Sequence, residues 1–320
     1  MERELALELV RVTELAALSA APWMGRGEKN AADGAATEAM RRMFDSVSIR
    51  GVVVIGEGEM DEAPMLYIGE KLGDGTGPEV DIAVDPLEGT EIVAKGLNNA
   101  MSVLAVAPKG QLLHAPDMYM EKLAVGPALA GKLSLRDPAR TTVEKAALAL
   151  GKPLSDLTVM MLDRPRHEAL VRELRDVGVR IKFLSDGDVA GAMAPCFPET
   201  GIDLYIGSGG APEGVLAAAA IKCLGGELQG RLMIEDDAQY ERCVAMGLDD
   251  PRRILGMNDM VGDGDVIFAA TGVTPGEFLG GVRYLEGGRA ETHSMVMRGK
   301  TRTIRFIRSL HMLENKPLLR

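Results

Sequence analysis

The two carboxylates of Asp85-Pro86-Leu87-Glu88-Gly89-Thr90 have the residue types and spacing that most plainly offer chemistry. They follow Val80-Asp81-Ile82-Ala83-Val84, which reads as a buried strand, on a turn stiffened by Pro86 and freed by Gly89. Paired carboxylates suit a hard divalent cation, and the Thr90 hydroxyl beside them would orient a water bound to it. That apparatus serves metal-assisted attack on a phosphate ester.

The elements that must position these groups follow from periodicity. Residues 4–20 place Leu5, Leu9, Val12 and Ala16 at helical spacing, and residues 33–44 do the same with Ala36, Met40, Met43 and Phe44. The run Val52-Val53-Val54-Ile55 reads as a strand opening into Gly56-Glu57-Gly58-Glu59. Residues 64–72 are predicted to be helical, and 101–107 with 111–114 to form a hairpin through Pro108-Lys109-Gly110. From residue 157 strands and helices alternate: strands at 158–162, 179–184 and 204–206, with helices carrying Leu170, Leu174 and Val177, then starting at 189 and at 215. Such repetition predicts a parallel sheet with right-handed crossovers. The end of the chain reads as strands, including 266–270 and 303–307.

In parallel α/β sheets ligands bind beyond the carboxyl ends of the strands. Those ends carry Glu57, then Asp85 and Glu88, then Arg164 and Arg166, then Ser185-Asp186-Gly187-Asp188, and finally a glycine-rich segment over 207–213 that ends in Glu213. The last reads as a loop feeding a helix near Pro212, whose amides would hold a phosphate oxygen. Any one of these acids alone is as readily a solvated loop charge. Their succession on strand ends is what favours a site.

Composition bounds the rest. A chain of 320 residues, 46% hydrophobic and 26% charged, has ample material for a core. A net charge of −11 argues against a general nucleic-acid partner. Three cysteines without zinc-site spacing argue against a disulfide framework, and neither a signal-type start nor a transmembrane run is read, so a cytoplasmic location is expected. His114, His167, His293 and His311 lack ligand spacing and read as surface or core. The basic run Arg298, Lys300, Arg302, Arg305 and Arg308 reads as a solvated strand face, and Trp23 as a packing anchor.

Long motifs now carry a resemblance. Trp23-Met24-Gly25-Arg26-Gly27-Glu28-Lys29-Asn30-Ala31-Ala32-Asp33, Gly56-Glu57-Gly58-Glu59-Met60-Asp61-Glu62-Ala63-Pro64-Met65, the Asp85 hexapeptide, Ser185-Asp186-Gly187-Asp188 and Gly262-Asp263-Gly264-Asp265-Val266-Ile267-Phe268 resemble class II fructose-1,6-bisphosphatase along nearly the whole chain. The Asp85 element also resembles the wider lithium-sensitive sugar and inositol phosphatase superfamily. The resemblance implies a layered α/β/α/β/α sandwich. It is taken as one enzyme unit with an N-terminal half (1–155) holding most metal ligands and a C-terminal half (156–320) holding substrate loops.

Carried over residue by residue, it implies metal ligands Asp33, Glu57, Asp85, Glu88 and Glu213 for two or more Mg²⁺ or Mn²⁺ ions. Substrate contacts fall on Glu88, Gly89, Thr90, Tyr119, Arg164, Pro165, Arg166, Asp186, Gly187, Asp188 and Gly210. Thr90, Lys29, Asp61 and Glu62 fall at the catalytic centre. Glu28 departs from the family's Asp, keeping the charge on a longer arm beside Lys29. The implied reaction is hydrolysis of the 1-phosphate of fructose 1,6-bisphosphate, in gluconeogenesis, by a homodimer or homotetramer. Rival readings are a dual fructose-1,6/sedoheptulose-1,7-bisphosphatase, an inositol monophosphatase, or a non-catalytic sugar-phosphate sensor. A nucleotide-binding regulator is disfavoured because the lysine-containing phosphate loop is missing from the sequence.

Overall fold

The computed structural model describes residues 4–58 and 64–316. Asp61 and Glu62 therefore lie outside the described residues. In chain order the helices and strands are α1 (Leu5–Ala20), α2 (Lys29–Phe44), β1 (Arg50–Ile55), β2 (Lys71–Leu72), β3 (Glu79–Glu88), α3 (Thr90–Lys95), β4 (Met101–Pro108), β5 (Tyr119–Val125), α4 (Ala139–Leu150), β6 (Thr158–Leu162), α5 (Glu168–Val177), β7 (Arg180–Leu184) and α6 (Asp188–Met193). They continue as β8 (Leu204–Gly210), α7 (Ala211–Leu224), β9 (Glu227–Leu232), α8 (Asp237–Ala245), α9 (Met257–Met260), β10 (Ile267–Gly272), β11 (Arg283–Leu285), β12 (Arg289–Arg298) and β13 (Thr303–Met312). Two sheets flanked by helices result, the mixed α/β sandwich class expected. No helix among the described residues is long and apolar enough to cross a membrane.

The chain divides into two compact units, one of residues 1–112 with 263–320 and the other of 113–262. The expected boundary at 155 falls inside the second unit. The physical reason is strand pairing: β10 returns late in the chain to lie antiparallel to β4, while β5 pairs antiparallel with β8.

In the first unit the sheet runs β11-β12-β10-β4-β3-β1-β2, with β13 along β12. β1 and β3 are parallel, and the other pairs are antiparallel. The helical stripe of α1, with Leu9, Val12 and Ala16 fully buried, packs with Met40 and Phe44 of α2 on Ile82, Leu104, Ala269 and Val296 of the sheet. Trp23 packs against the same core. Several polar groups inside it bond one another: Thr13 bonds Thr271, which bonds Ser294, each at 2.8 Å, and Thr292 bonds His311 at 2.8 Å and donates to Glu14 at 3.2 Å. His311 is thus a core residue, as read. Arg298 pairs with Asp265, just before β10, and Arg308 with Glu291 of β12, so part of the basic run is tied to acids.

The second unit's sheet runs β7-β6-β8-β5-β9. β6 is parallel to both β7 and β8, whereas β5 is antiparallel to β8 and β9. The parallel sheet predicted for this region is therefore mixed. α7 is apolar on nearly every side and buried accordingly from Gly214 to Ile221. Burial pushes the Cys196 thiol up to about 12, and no disulfide joins the three cysteines.

Three local expectations are corrected. Residues 64–72 form bends ending in β2 instead of a helix, held by the Leu66 amide bonding the buried Glu70 carboxylate. Residues 111–114 do not return as a hairpin strand, because β4 already pairs with β3 on one side and β10 on the other, and the buried Asp81 carboxylate captures the amides of Gln111 and Leu112. Gly207 to Gly210 are not a loop but the last residues of β8, paired with Tyr119 to Lys122 of β5, and α7 begins at Ala211.

Replacing Leu9 by Ala should lower stability by about 2–5 kcal/mol through the cavity left in this core. A urea midpoint that does not move would show that α1 is not packed as described.

Candidate active site

The first unit gathers its carboxylates by strand geometry. β1 and β3 run parallel with Ile55 opposite Ala83, so Glu57 and Asp85 each lie two residues beyond that pair at the same edge. Along β4, Asp85 pairs with Val103 and Glu88 with Met101, three residues on β3 against two on β4. That is a bulge, and it matters because residues three apart in a regular strand point to opposite faces. Val103 and Met101 share a face, so the bulge gives Asp85 and Glu88 the same one. Pro86 suits the interrupted pairing, and Gly89 adopts φ 92° to start α3 at Thr90.

α2 delivers Asp33 and packs against α3 and β3. The loop before α2 is fixed to α3 by Gly25 N–H to the Val93 carbonyl and Gly27 N–H to the Ala94 carbonyl, each 2.9 Å. Burial pushes the Asp33 carboxyl above its usual range. Glu88 is buried at 3% exposure, and Asp85 accepts the Leu87 amide at 3.2 Å. Lys29 does not reach toward these acids. It donates to Glu91 of α3 at 2.9 Å, an exposed pair whose hydrogen bond and charge hold the Lys29 ammonium above its usual range. Glu28 is exposed at the start of α2 and makes no side-chain cap.

Asp33, Glu57, Asp85 and Glu88 offer oxygen alone, the donor chemistry that fits Mg²⁺ or Mn²⁺. Among the described residues, however, no three His, Cys, Asp or Glu side chains stand close enough together to hold a metal ion as they are.

The second unit gathers the other candidates. The carboxyl ends of parallel β6, β7 and β8 lead respectively to Arg164-Pro165-Arg166, to Asp186-Gly187-Asp188, and to Gly210 followed by Glu213 in the first turn of α7. Tyr119 opens antiparallel β5 directly opposite Gly210. Arg164 bonds the Asp163 carbonyl at 3.0 Å and Asp186 at 3.3 Å. Arg166 stacks over the Tyr119 ring, 4.5 Å from its centroid, and donates to the Ser208 hydroxyl at 2.8 Å and the Ser208 carbonyl at 2.7 Å. A guanidinium has five donors, so fixing two still leaves a fork for an oxyanion.

Two residues that the sequence did not single out hold this edge. Lys122, 0% exposed, donates to Asp188 and to the Gly210 carbonyl (2.6 Å). Strand alternation supplies a signal for it, since Lys122 shares one buried face of β5 with Met120 and Ala124, while Leu123 and Val125 pack into the core on the other. The other is His167, read as surface or core. Its Nδ1 donates to the Leu162 carbonyl at 2.8 Å and its Nε2 accepts the Ser208 amide at 2.9 Å, so the ring is neutral and braces the residue that grips Arg166. Only the tertiary register reveals that role.

Desolvation pushes the Glu213 carboxyl above its usual range. Asp188 adds to the rise, while the Lys122 ammonium opposes it. Burial lowers the affinity of His167 for a proton below its ordinary value of 6.5, and His311 shifts the same way for the same first cause.

Known proteins align with the chain over this whole arrangement. Residues 3–311 match the family model described as bacterial fructose-1,6-bisphosphatase, glpX-encoded. Fructose-1,6-bisphosphatase 1 class 2 of Escherichia coli K12 is 50% identical over 329 residues, 99% of this chain and 97% of that protein. The class 2 enzyme of Shigella flexneri is equally similar. That of Haemophilus influenzae Rd is 47% identical over 98% of each. A solved structure, an extragenic suppressor from Pyrococcus furiosus, shares 14% identity at a TM-score of 0.30 over 60% of this chain and 70% of that one, too little to bear on the fold.

The lowered proton affinity of both histidines sets the sign of a pH effect. Below the ordinary value of 6.5 the unfolded chain takes up protons that the folded chain does not, so stability is present above that pH and falls as pH drops through it. Melting temperatures between about pH 7.5 and about pH 5 should decline less steeply in His167→Gln than in the parent, because Gln keeps the bonds without the titration. Equal slopes would show that His167 does not contribute.

Proposed function

The chain belongs to the glpX-encoded bacterial fructose-1,6-bisphosphatase family, and we propose from that membership that it cleaves the 1-phosphate of fructose 1,6-bisphosphate. It is a phosphoric monoester hydrolase, and the usual role of its reaction is in gluconeogenesis. The observation that carries this reading is the match along residues 3–311, with every carboxylate and arginine of the candidate site inside it.

Uncatalysed hydrolysis of a phosphate monoester is so slow that an enzyme must lower the barrier by on the order of 20 kcal/mol or more. A grip on a remote phosphate cannot supply that, so the larger share falls to charge stabilisation at the reacting phosphoryl group. Asp33, Glu57, Asp85, Glu88 and Glu213 are the groups we assign to hold two or more Mg²⁺ or Mn²⁺ ions. The chemistry such cations supply when bound is Lewis acidity: a more acidic attacking water and a neutralised leaving oxygen.

The remaining roles belong to this chain's own residues. Thr90 orients the attacking water by its hydroxyl and passes its own hydrogen bond to a carboxylate, one of Glu57, Asp61 or Glu62, and Asp61 and Glu62 are assigned catalytic roles. Lys29, when released from Glu91, offsets charge at the phosphoryl group. Arg164 and Arg166 hold the far phosphate through planar forks. Glu88, Gly89, Tyr119, Pro165, Asp186, Gly187, Asp188 and Gly210 complete the sugar-phosphate contacts. A cytoplasmic homodimer or homotetramer, and placement in the lithium-sensitive superfamily, belong to the same reading.

The direct experiment is phosphate release from fructose 1,6-bisphosphate with Mg²⁺, with Mn²⁺ and with EDTA, beside sedoheptulose 1,7-bisphosphate and inositol 1-phosphate. Release that EDTA abolishes and LiCl inhibits is expected; no release from any ester would hand the site to a non-catalytic sensor.

Within that assay Asp85→Ala or Glu88→Ala should lower kcat by at least about 10²-fold, the scale of losing one preorganised electrostatic group. Arg166→Ala should mainly raise KM, by roughly 10- to 100-fold if it loses a charge-assisted hydrogen bond of about 1.5–3 kcal/mol. Near-normal turnover by Glu88→Ala would remove that carboxylate from the proposed site.

A further inference from the structure

We propose that Lys122 is a positioning residue for substrate binding: buried inside the second unit, it fixes the Asp188 carboxylate and the Gly210 carbonyl in one geometry. This rests on the assignment of Asp188 and Gly210 as sugar-phosphate contacts. Lys122 has no exposed surface and lies on β5, three residues after Tyr119. Its ammonium donates to Oδ2 of Asp188, the first residue of α6, and at 2.6 Å to the carbonyl of Gly210, which caps α7. The Tyr205 hydroxyl donates to Oδ1 of Asp188, so both carboxylate oxygens are held.

The surroundings are shaped to admit these groups. A Cβ on Gly209 would collide with the Asp188 carboxylate, and one on Gly210 with that of Glu213. A Cβ on Gly214 would stand 3.2 Å from Cε of Lys122 and 2.9 Å from the sulfur of Met120. Three glycines along one strand-to-helix passage thus leave room for two carboxylates and one ammonium.

Stability alone does not call for such an arrangement. Burying a charge pair costs desolvation, and well-packed apolar side chains of similar volume serve a fold as well or better. What the pair does supply is orientation: it ties the β7–α6 turn to the β8–α7 junction, the two places where the second unit presents Asp188 and Gly210. It also puts a fixed positive charge near Glu213, so the edge is not left with uncompensated acids.

The experiment is a double-mutant cycle of Lys122→Met, Asp188→Asn and both together, run on the full-length enzyme well below each melting temperature. KM for fructose 1,6-bisphosphate is read with kcat, and Kd for the same ligand by calorimetry. Lys122→Met is expected to raise KM and Kd at least about tenfold while kcat changes less than about threefold, the pattern of lost binding without lost chemistry. Because Lys122 acts through Asp188, it should add little to KM in the Asp188→Asn background.

A lower melting temperature with unchanged KM and Kd would overturn the proposal and leave Lys122 a structural residue; so would full additivity of the two changes. If Lys122→Met does not fold, Lys122→Gln, which keeps a donor without the charge, takes its place with the same expectation. No phosphate release by the parent enzyme, with Kd still weakened by Lys122→Met, would sink the hydrolytic reading and leave the positioning role standing.

Discussion

β3 is hydrogen-bonded on both flanks, parallel to β1 and antiparallel to β4, and the placement of the first unit's candidate carboxylates depends on that double pairing. Parallel pairing with β1 brings Glu57 to the edge where β3 presents Asp85. Antiparallel pairing with β4 supplies the fixed ladder against which one extra residue becomes a bulge. Without the bulge, Glu88 would face away from Asp85 and the hexapeptide would offer one carboxylate to each side of the sheet. The whole first core, from α1 and α2 to β10 and β12, holds that ladder rigid.

The second unit meets a different constraint, the crowding of charge at a buried edge. Desolvation and the neighbouring Asp188 both push the Glu213 carboxyl toward its neutral form, and the Lys122 ammonium pulls the other way. On the same edge Arg166 is immobilised by Ser208, Tyr119 and, behind Ser208, the neutral ring of His167. A guanidinium already held in place loses little rotamer freedom when an oxyanion binds, so Arg166 is preorganised for the phosphate contact proposed for it.

Much of this was legible in the sequence because it is local. The helical stripe of α1, the apolar runs of β1, β3, β6 and β8, and the acids and arginines at their ends follow from spacing that a short window contains. What was illegible depends on partners distant in the chain. The two-unit division required β10 to pair with β4 across a separation no periodicity reports. The residues after Pro108 were read as a returning strand because turn residues precede them, yet both edges of β4 were already taken. The glycines of β8 read as a loop by composition; strand geometry at Gly207 to Gly210 comes from β5, an element the sequence reading did not delimit, and with β5 went Lys122.

An acidic chain that binds a sugar bisphosphate poses an electrostatic question that the geometry answers in part. With a net charge of −11, long-range attraction does not bring the anion in, so recognition must rest on short-range groups at the site. The groups proposed for that task in the second unit are Arg164 and Arg166, each tied to a backbone carbonyl without any ligand present. The first unit has the opposite balance: Glu57 and Asp85 follow the same edge of β1 and β3, Glu88 comes three residues after Asp85, and Lys29 is engaged by Glu91. Carboxylates so placed repel a phosphoryl group unless cations intervene, and burial holds the Asp33 carboxyl above its usual range. Under the proposed assignment the acids act as cation ligands, which relieves that repulsion, and the arginines supply the positive charge that an anionic substrate needs.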